Sequence, residues 1–330
     1  MDGVTLADTT LRALDERLPE VWPTLCVATR YQASTCRRCL EVCPGGAVTP
    51  SPWLSVDGER CVSCGACAAV CRTGALDFPQ ARAALAEAVA EVARQGEPAV
   101  SIACVRTNLR EDLAWPHVAV GCLGALSEGD LVGACRRGAE RVWLIHADCS
   151  RCQLSLAVAR IQDVAEAAVA AVAAFGLHLD VDIVDVPAQA GAAAAPALVL
   201  SRRGLFSFIA RRAGGAALTT TDAQRPDIAT LHAQAAPPAA HRRLLGDLEA
   251  LSAMGAAGAA ASPAVLPSAD VVVGASCDGC GLCLRYCPHG ALSLDGGRPA
   301  VDRALCTGCG LCAEVCPPGA LALCPGTLGA

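Results

Sequence analysis

Cysteines recur along this chain at one fixed spacing, and no other feature restricts its folding so strongly. Toward the C-terminus, Cys277-x2-Cys280-x2-Cys283-x3-Cys287-Pro288 returns after eighteen residues as Cys306-x2-Cys309-x2-Cys312-x3-Cys316-Pro317. Toward the N-terminus, Cys61-x2-Cys64-x2-Cys67-x3-Cys71 carries the full spacing. Cys36-x2-Cys39-x3-Cys43-Pro44 carries its last three members, with Ala33 at the place of the first. A short unit repeated four times, in two pairs, predicts four copies of one local structure. Each copy runs into a Gly-Ala-apolar step, namely Gly46-Ala47-Val48, Gly74-Ala75-Leu76, Gly290-Ala291-Leu292 and Gly319-Ala320-Leu321. That step suits a tight turn leading into a short helix or strand.

The 22 cysteines among 330 residues are several times the usual share and need a chemical reason. Soft thiolates select iron-sulfur clusters or zinc over hard cations. Gly279, Gly281, Gly308 and Gly310, set between the cysteines, would let backbone N–H groups approach bound sulfide and offset its charge. The glycine pattern favours clusters over zinc.

The stretch from about Gly274 to Leu323 resembles the bacterial-type ferredoxin with two [4Fe-4S] clusters. The likeness rests on Cys277-Asp278-Gly279-Cys280-Gly281-Leu282-Cys283 and Cys306-Thr307-Gly308-Cys309-Gly310-Leu311-Cys312. In that family three thiolates two residues apart wrap one face of a cube, and the fourth reaches the other cluster. The resemblance therefore implies one set of Cys277, Cys280, Cys283 and Cys316, and another of Cys306, Cys309, Cys312 and Cys287. It also implies two pseudo-symmetric halves, short helices, and low-potential one-electron transfer.

Cys26 to about Phe78 looks like a second ferredoxin unit, in which Cys61, Cys64, Cys67 and Cys43 form a third set. The fourth has Cys36, Cys39 and Cys71 and lacks one ligand. Cys26 lies ten residues before Cys36, close enough for a loop to return it, and is the expected substitute; a three-iron cluster is the alternative. Arg72 stands where the ferredoxin pattern has Pro.

Between these units the pattern changes to alternating strands and helices. Gln80 to Arg94 is amphipathic, with Leu85, Val89 and Val92 on one face and Gly96 as a stop. Pro98 to Cys104, Val118 to Cys122 and Arg141 to His146 read as strands. Ser127 with Asp130 caps a helix reaching Gly138, a long helix is expected from Gln153 to Phe175, and Leu177 to Val186 reads as a last strand. Parallel strands bind ligands at the rim of their carboxyl ends, where Cys104, Cys122, Cys149 and Cys152 would fall. Four thiols there suit a fifth centre, most simply [2Fe-2S], with [4Fe-4S] or zinc also fitting. The plainer reading makes Cys104 and Cys122 small buried residues and leaves Cys149-x2-Cys152 as a dithiol. His146 near the rim is more simply structural, Cys135 a core residue and Cys324 a spare thiol. This region weakly resembles the iron-sulfur delta subunit of methyl-viologen-reducing hydrogenases, through Cys104, Gly121-Cys122 and Gly138-Ala139-Glu140-Arg141-Val142 leading to Cys149 and Cys152. That family carries electrons between hydrogenase and heterodisulfide reductase. Only Ser150-Arg151 stands where it has a longer His-Pro-Gly-Asp stretch.

The expected fold is thus α+β ferredoxin-like dicluster units at both ends, residues 1–78 and 268–330, flanking a central α/β domain with a mostly parallel sheet, 79–186. Residues 187–267, rich in Ala, Gly and Pro, read as a linker with two docking helices, Leu205 to Arg212 and His241 to Ala253. Phe206, Phe208 and Ile209 beside Arg202, Arg203, Arg211 and Arg212 could grip an acidic partner or cover a ferredoxin unit. A net charge of -6, with all 26 basic residues being Arg, weighs against nucleic acid. No signal peptide opens the chain and no apolar run is long enough to span a bilayer, so a cytoplasmic protein without direct membrane insertion is expected. With no nucleotide loop and no catalytic Ser or His constellation, the chain reads as an electron-transfer subunit with four [4Fe-4S] clusters, a candidate fifth centre and redox proteins as partners. A thiol or sulfur-reducing enzyme at the central cysteines, and a zinc scaffold, are the alternatives.

Overall fold

The Gly-Ala steps set the architecture of both ends by turning the chain after each cysteine motif. The computed structural model describes residues 18–94, 99–107, 117–186, 233–255 and 269–325. Its N-terminal unit runs β1 (Glu20–Val21), α1 (Val27–Arg30), α2 (Arg38–Glu41), β2 (Val48–Thr49), β3 (Ser55–Val56), α3 (Ala66–Val70) and β4 (Leu76–Asp77). β1 pairs antiparallel with β4, and β2 with β3. The Ala carbonyls of the steps close these pairs, Ala47 accepting from the Asp57 N–H and Ala75 from the Trp22 N–H, both at 2.8 Å.

In the central domain α4 (Pro79–Arg94) leads to β5 (Ala99–Cys104), β6 (His117–Val120), α5 (Glu128–Arg136) and β7 (Arg141–His146). α6 (Ser155–Val158), α7 (Ile161–Ala173) and β8 (Asp180–Asp185) complete it. The sheet order is β6-β5-β7-β8 with all three pairings parallel. Leu85, Val89 and Val92 of α4 are buried against a core that includes Val100, Ile102, Val142 and Leu144 of the sheet. Each such side chain contributes roughly 1.5–3 kcal/mol by leaving water. The start of α5 is fixed by Asp130, whose Oδ2 accepts from the Ser127 N–H at 2.8 Å and from its hydroxyl at 2.7 Å.

The helix expected from Gln153 to Phe175 is broken into α6 and α7. Ala157 of α6 packs so closely on Gly124 that a Cβ there would lie 2.1 Å from the Ala157 carbonyl oxygen. α7 instead packs Val164, Ala168 and Val172 into the central core. One straight helix cannot serve both contacts. The last strand also begins later than expected, at Asp180, because the chain turns through a left-handed Gly176 at φ 71°.

α8 (Ala239–Met254) forms where the second docking helix was expected. Leu244, Leu248 and Leu251 complete the central core, and Asp247 forms an ion pair with Arg136 of α5. The first, Leu205 to Arg212, with its Phe and Arg neighbours, lies outside the described residues, as do Gly96 and Pro98.

The C-terminal unit repeats the N-terminal plan with β9 (Ala269–Val273), α9 (Leu282–Tyr286), β10 (Leu292–Asp295), β11 (Arg298–Val301), α10 (Leu311–Glu314) and β12 (Leu321–Pro325). β10 pairs antiparallel with β11, and β12 with β9. Here too the step carbonyls close the pairs: Ala291 accepts from Asp302 at 2.8 Å and Ala320 from Gly274 at 2.7 Å.

Candidate metal centres

The same four-residue turn serves the last cysteine of the motifs. With Gly46, Gly290 and Gly319 at positive φ (54°, 65° and 60°), the next N–H points back at the sulfur. The Ala47 N–H donates to Cys43 Sγ at 3.2 Å, Ala291 to Cys287 Sγ at 3.3 Å and Ala320 to Cys316 Sγ at 3.3 Å. In the remaining copy Gly74 has φ 66°, and N–H groups of Leu76 and Ala75 help to hold down the pKa of Cys71, which burial drives up. Donors aimed at sulfur stabilise its ionised form. The expected cradle glycines also take positive φ: Gly279 71°, Gly281 72°, Gly308 63° and Gly310 89°. Ser63, the counterpart of Gly279, adopts φ 53°, so the motif imposes this backbone even on a residue with a Cβ.

Several buried thiols have neighbouring thiols that raise their pKa. Cys283 feels Cys280 and Cys316. Cys309 feels Cys287 and Cys306, and Cys312 feels Cys309, Cys306 and Cys287. In the N-terminal unit Cys64 feels Cys43 and Cys61, and Cys67 feels Cys64, Cys61, Cys39 and Cys43. Cys39 feels Cys71, Cys26 and Cys36. Burial comes first, and with these neighbours it pushes Cys39, Cys309 and Cys312 up to about 12. Buried thiols such as Cys39, Cys309 and Cys312 resist ionisation on their own, and a bound cationic group relieves such a thiol. The donor set fits iron-sulfur ligation. All 22 cysteines are free thiols. Among the described residues no three His, Cys, Asp or Glu side chains converge as one metal ion requires. A zinc ion with Zn–S near 2.3 Å would need sulfurs about 3.8 Å apart.

The 4Fe-4S dicluster domain family matches residues 34–75 and 276–320. Both ends of the chain are dicluster ferredoxin-like domains. A curated protein from Methanosarcina acetivorans, named as one subunit of an ion-translocating oxidoreductase complex, is 50% identical over 44 residues, which are 13% of this chain and 17% of that protein. No solved structure matches the chain.

Between the dicluster domains, Cys104 ends β5, Cys122 follows β6, and Cys149 and Cys152 follow β7, so the parallel sheet delivers all four to one rim. Cys122 feels Cys104 and Cys152, and Cys149 feels Cys152 and Cys104. N–H groups of Gly124 and Leu154 donate to Cys122 Sγ and Cys152 Sγ, both at 3.4 Å. Arg106 Nη1 stands 3.6 Å from Cys152 Sγ, a cationic neighbour that strand and helix periodicity did not reveal. His146 Nδ1 lies 2.9 Å from the Ala147 carbonyl and 3.6 Å from Cys149 Sγ. Burial drives up the pKa of Cys104, Cys122 and Cys149, with Cys122 reaching about 12. Cys135 is buried in α5, and Cys324 is exposed on β12.

Tertiary packing joins these groups. Cys122 also feels Cys64, and the two share an apolar cluster with Val42, Ala66, Val70 and Ala157. At the other end, Val27 and Tyr31 pack with Leu311, Val315 and Tyr286, with Cys36 and Cys309 at the edge of the same cluster. Tyr31 meets Tyr286 edge-on at 6.1 Å. Arg30, 3% exposed, sits in this seam. Its guanidinium donates to the carbonyls of Thr24, Tyr286 and Ala233. Burial lowers its pKa, and the thiols of Cys287 and Cys309 oppose that shift. Sequence reasoning missed Arg30, because nothing within Val27-Ala28-Thr29-Arg30 marks it as a bridge.

Proposed function

We propose that this chain is an iron-sulfur electron-transfer subunit with four [4Fe-4S] clusters and a further centre at the central rim, working between protein redox partners. The observation that carries the reading is the match of both ends of the chain to the 4Fe-4S dicluster domain family, over residues 34–75 and 276–320. Cys277, Cys280, Cys283 and Cys316 would hold one cluster, and Cys306, Cys309, Cys312 and Cys287 the next. Cys61, Cys64, Cys67 and Cys43 would hold a third, and Cys36, Cys39, Cys71 and Cys26 a fourth. Cys104, Cys122, Cys149 and Cys152 would hold the rim centre, for which [2Fe-2S] is the simplest species. A bound cluster supplies one-electron transfer.

The chain's own residues hold and tune. The Ala47, Ala291 and Ala320 N–H groups donate to sulfur, which favours the thiolate. Burial around Cys67 and Cys309 excludes water from the ligands. The similarity to a subunit of an oxidoreductase complex supports partner subunits, and the proposed cytoplasmic location agrees with the finding that no described helix is long and apolar enough to cross a membrane.

The test is iron and acid-labile sulfide analysis of anaerobically purified protein, with EPR on reduction. About sixteen iron atoms per chain are expected from four cubes. Protein that holds zinc and no iron refutes the reading. Replacing Cys149 and Cys152 by Ser is expected to remove iron from the rim while the dicluster signals persist; unchanged iron would return the dithiol reading.

A further inference from the structure

Along the chain the central domain separates the two dicluster domains, but in space the N-terminal dicluster domain touches both of the others. It offers a different cysteine set to each. Toward the rim, Cys64 packs with Cys122 in the apolar cluster around Ala66 and Ala157. Gly65 comes so near the turn after Cys122 that a Cβ there would lie 3.0 Å from the Cβ of Ala125. This face belongs to the set of Cys61, Cys64, Cys67 and Cys43. Cys39 borders the same apolar cluster, so the set of Cys36, Cys39, Cys71 and Cys26 adjoins it there.

The other face meets the C-terminal dicluster domain through Cys36. Cys36 and Cys309 pack against one buried trio, Val27 of α1 with Leu311 and Val315 of the C-terminal domain. Polar ties beside the cysteines pin this seam. Thr35, next to Cys36, donates its hydroxyl to Glu314 Oε1 at 2.8 Å and its N–H to the same oxygen at 3.3 Å. Tyr286, next to Cys287, accepts from the Arg30 guanidinium at 3.2 Å through its carbonyl and meets the ring of Tyr31 edge-on. Cys309 and Cys287 belong to one set, that of Cys306, Cys309, Cys312 and Cys287. Within the C-terminal domain Cys283, Cys287, Cys312 and Cys316 share a further apolar cluster, so its two sets adjoin as well. Electron exchange falls steeply with separation, and sets that share a wall of side chains are therefore the ones that exchange.

We propose that the two dicluster domains form one unbroken row of four clusters, in the order Cys277 set, Cys306 set, Cys36 set and Cys61 set, with electrons crossing between the domains at the seam of Val27, Leu311 and Val315. The inference rests on the electron-transfer reading and adds its route, which is not the order of the chain. Each crossing takes one electron from a reduced set to its oxidised neighbour and makes or breaks no bond; a one-electron donor supplies the electron.

The test is EPR of the full, anaerobically purified protein reduced with dithionite, since neighbouring reduced clusters split and broaden one another's signals. Cys277→Ala with Cys280→Ala removes the outer C-terminal cluster, about four iron atoms, and leaves the Cys306 set alone in its domain. In an unbroken row the signal of that set stays broad and split, because the Cys36 set is still its neighbour. Adding Val27→Arg, which drives a charge into the apolar seam and touches no thiol, should turn it narrow at unchanged iron content. A narrow signal before Val27→Arg is added overturns the row. Where the cysteine variant loses more than about four iron atoms, Val27→Arg alone decides. In otherwise intact protein it should remove part of the splitting at wild-type iron content, and an unchanged spectrum overturns the proposal. Protein without iron would instead refute the electron-transfer reading, whereas bound iron with uncoupled signals refutes the row alone.

Discussion

Arg30 is the most informative single residue to change, because its side chain ties three stretches of chain together. The Thr24 carbonyl belongs to the N-terminal dicluster domain, that of Tyr286 to the C-terminal one at 3.2 Å, and that of Ala233 to the stretch before α8. Arg30→Met keeps the apolar stem and removes every donor. Three carbonyls then lose a charged partner, at about 1–3 kcal/mol for each group left unmet. Relief from burying an unpaired cation returns part of this. A net loss of about 3 kcal/mol from docking at this seam is the working figure.

The assay is hydrogen exchange followed by mass spectrometry on peptides covering α1 (Val27–Arg30) and α9 (Leu282–Tyr286). Exchange suits this multidomain chain better than a denaturation midpoint, which presumes one cooperative transition. Where exchange follows the opening equilibrium, a loss of 3 kcal/mol accelerates it by about 150-fold, since each 1.36 kcal/mol is a factor of ten. Arg30→Lys, which keeps the charge but cannot reach three carbonyls, should fall between. Acceleration below about threefold in both peptides of Arg30→Met would refute the bridging role, because it corresponds to less than about 0.7 kcal/mol.

Two further outcomes follow from the structure. His241 is held down to about 4 by burial first, then by His289 and Arg72, so between pH 6.5 and 4 the unfolded chain takes up a proton that the folded chain refuses. Stability is therefore lost as pH falls through that window, by about 1.4 kcal/mol between pH 7.5 and 5.5. His241→Gln should remove this increment from the pH dependence of hydrogen-exchange protection in α8, after correction for the intrinsic exchange rate, and an unchanged pH slope would count against it. Cys26→Ser should take about one to four iron atoms from the protein, converting the Cys36, Cys39 and Cys71 group to a three-iron or empty state seen by EPR. Iron content and spectra identical to wild type would mean that Cys26 is no ligand.

Spacing along the chain was enough to read the dicluster domains, because their turns are local. A Gly-Ala step that begins three residues after the last cysteine aims an N–H at sulfur by local geometry, as Ala47, Ala291 and Ala320 illustrate. The central strands were legible for a similar reason, since short apolar runs such as Val118 to Val120 are the mark of a sheet buried on both faces. The break between α6 and α7 was not legible. The apolar period continues through Ala159 and Arg160, and only the approach of Ala157 to Gly124 bends the chain there.

By itself, then, the amino-acid order determined that thiols would gather in small groups at both ends, that the middle would be a parallel sheet, and that its rim would carry Cys104, Cys122, Cys149 and Cys152. Hydrogen bonds across a few residues and side-chain periodicity carry that information. Tertiary structure alone decided that Cys64 comes beside Cys122 and that Arg30 spans the two dicluster domains. These are contacts between residues far apart in the chain. Their formation depends on how whole elements pack to bury apolar surface, and no spacing rule encodes it.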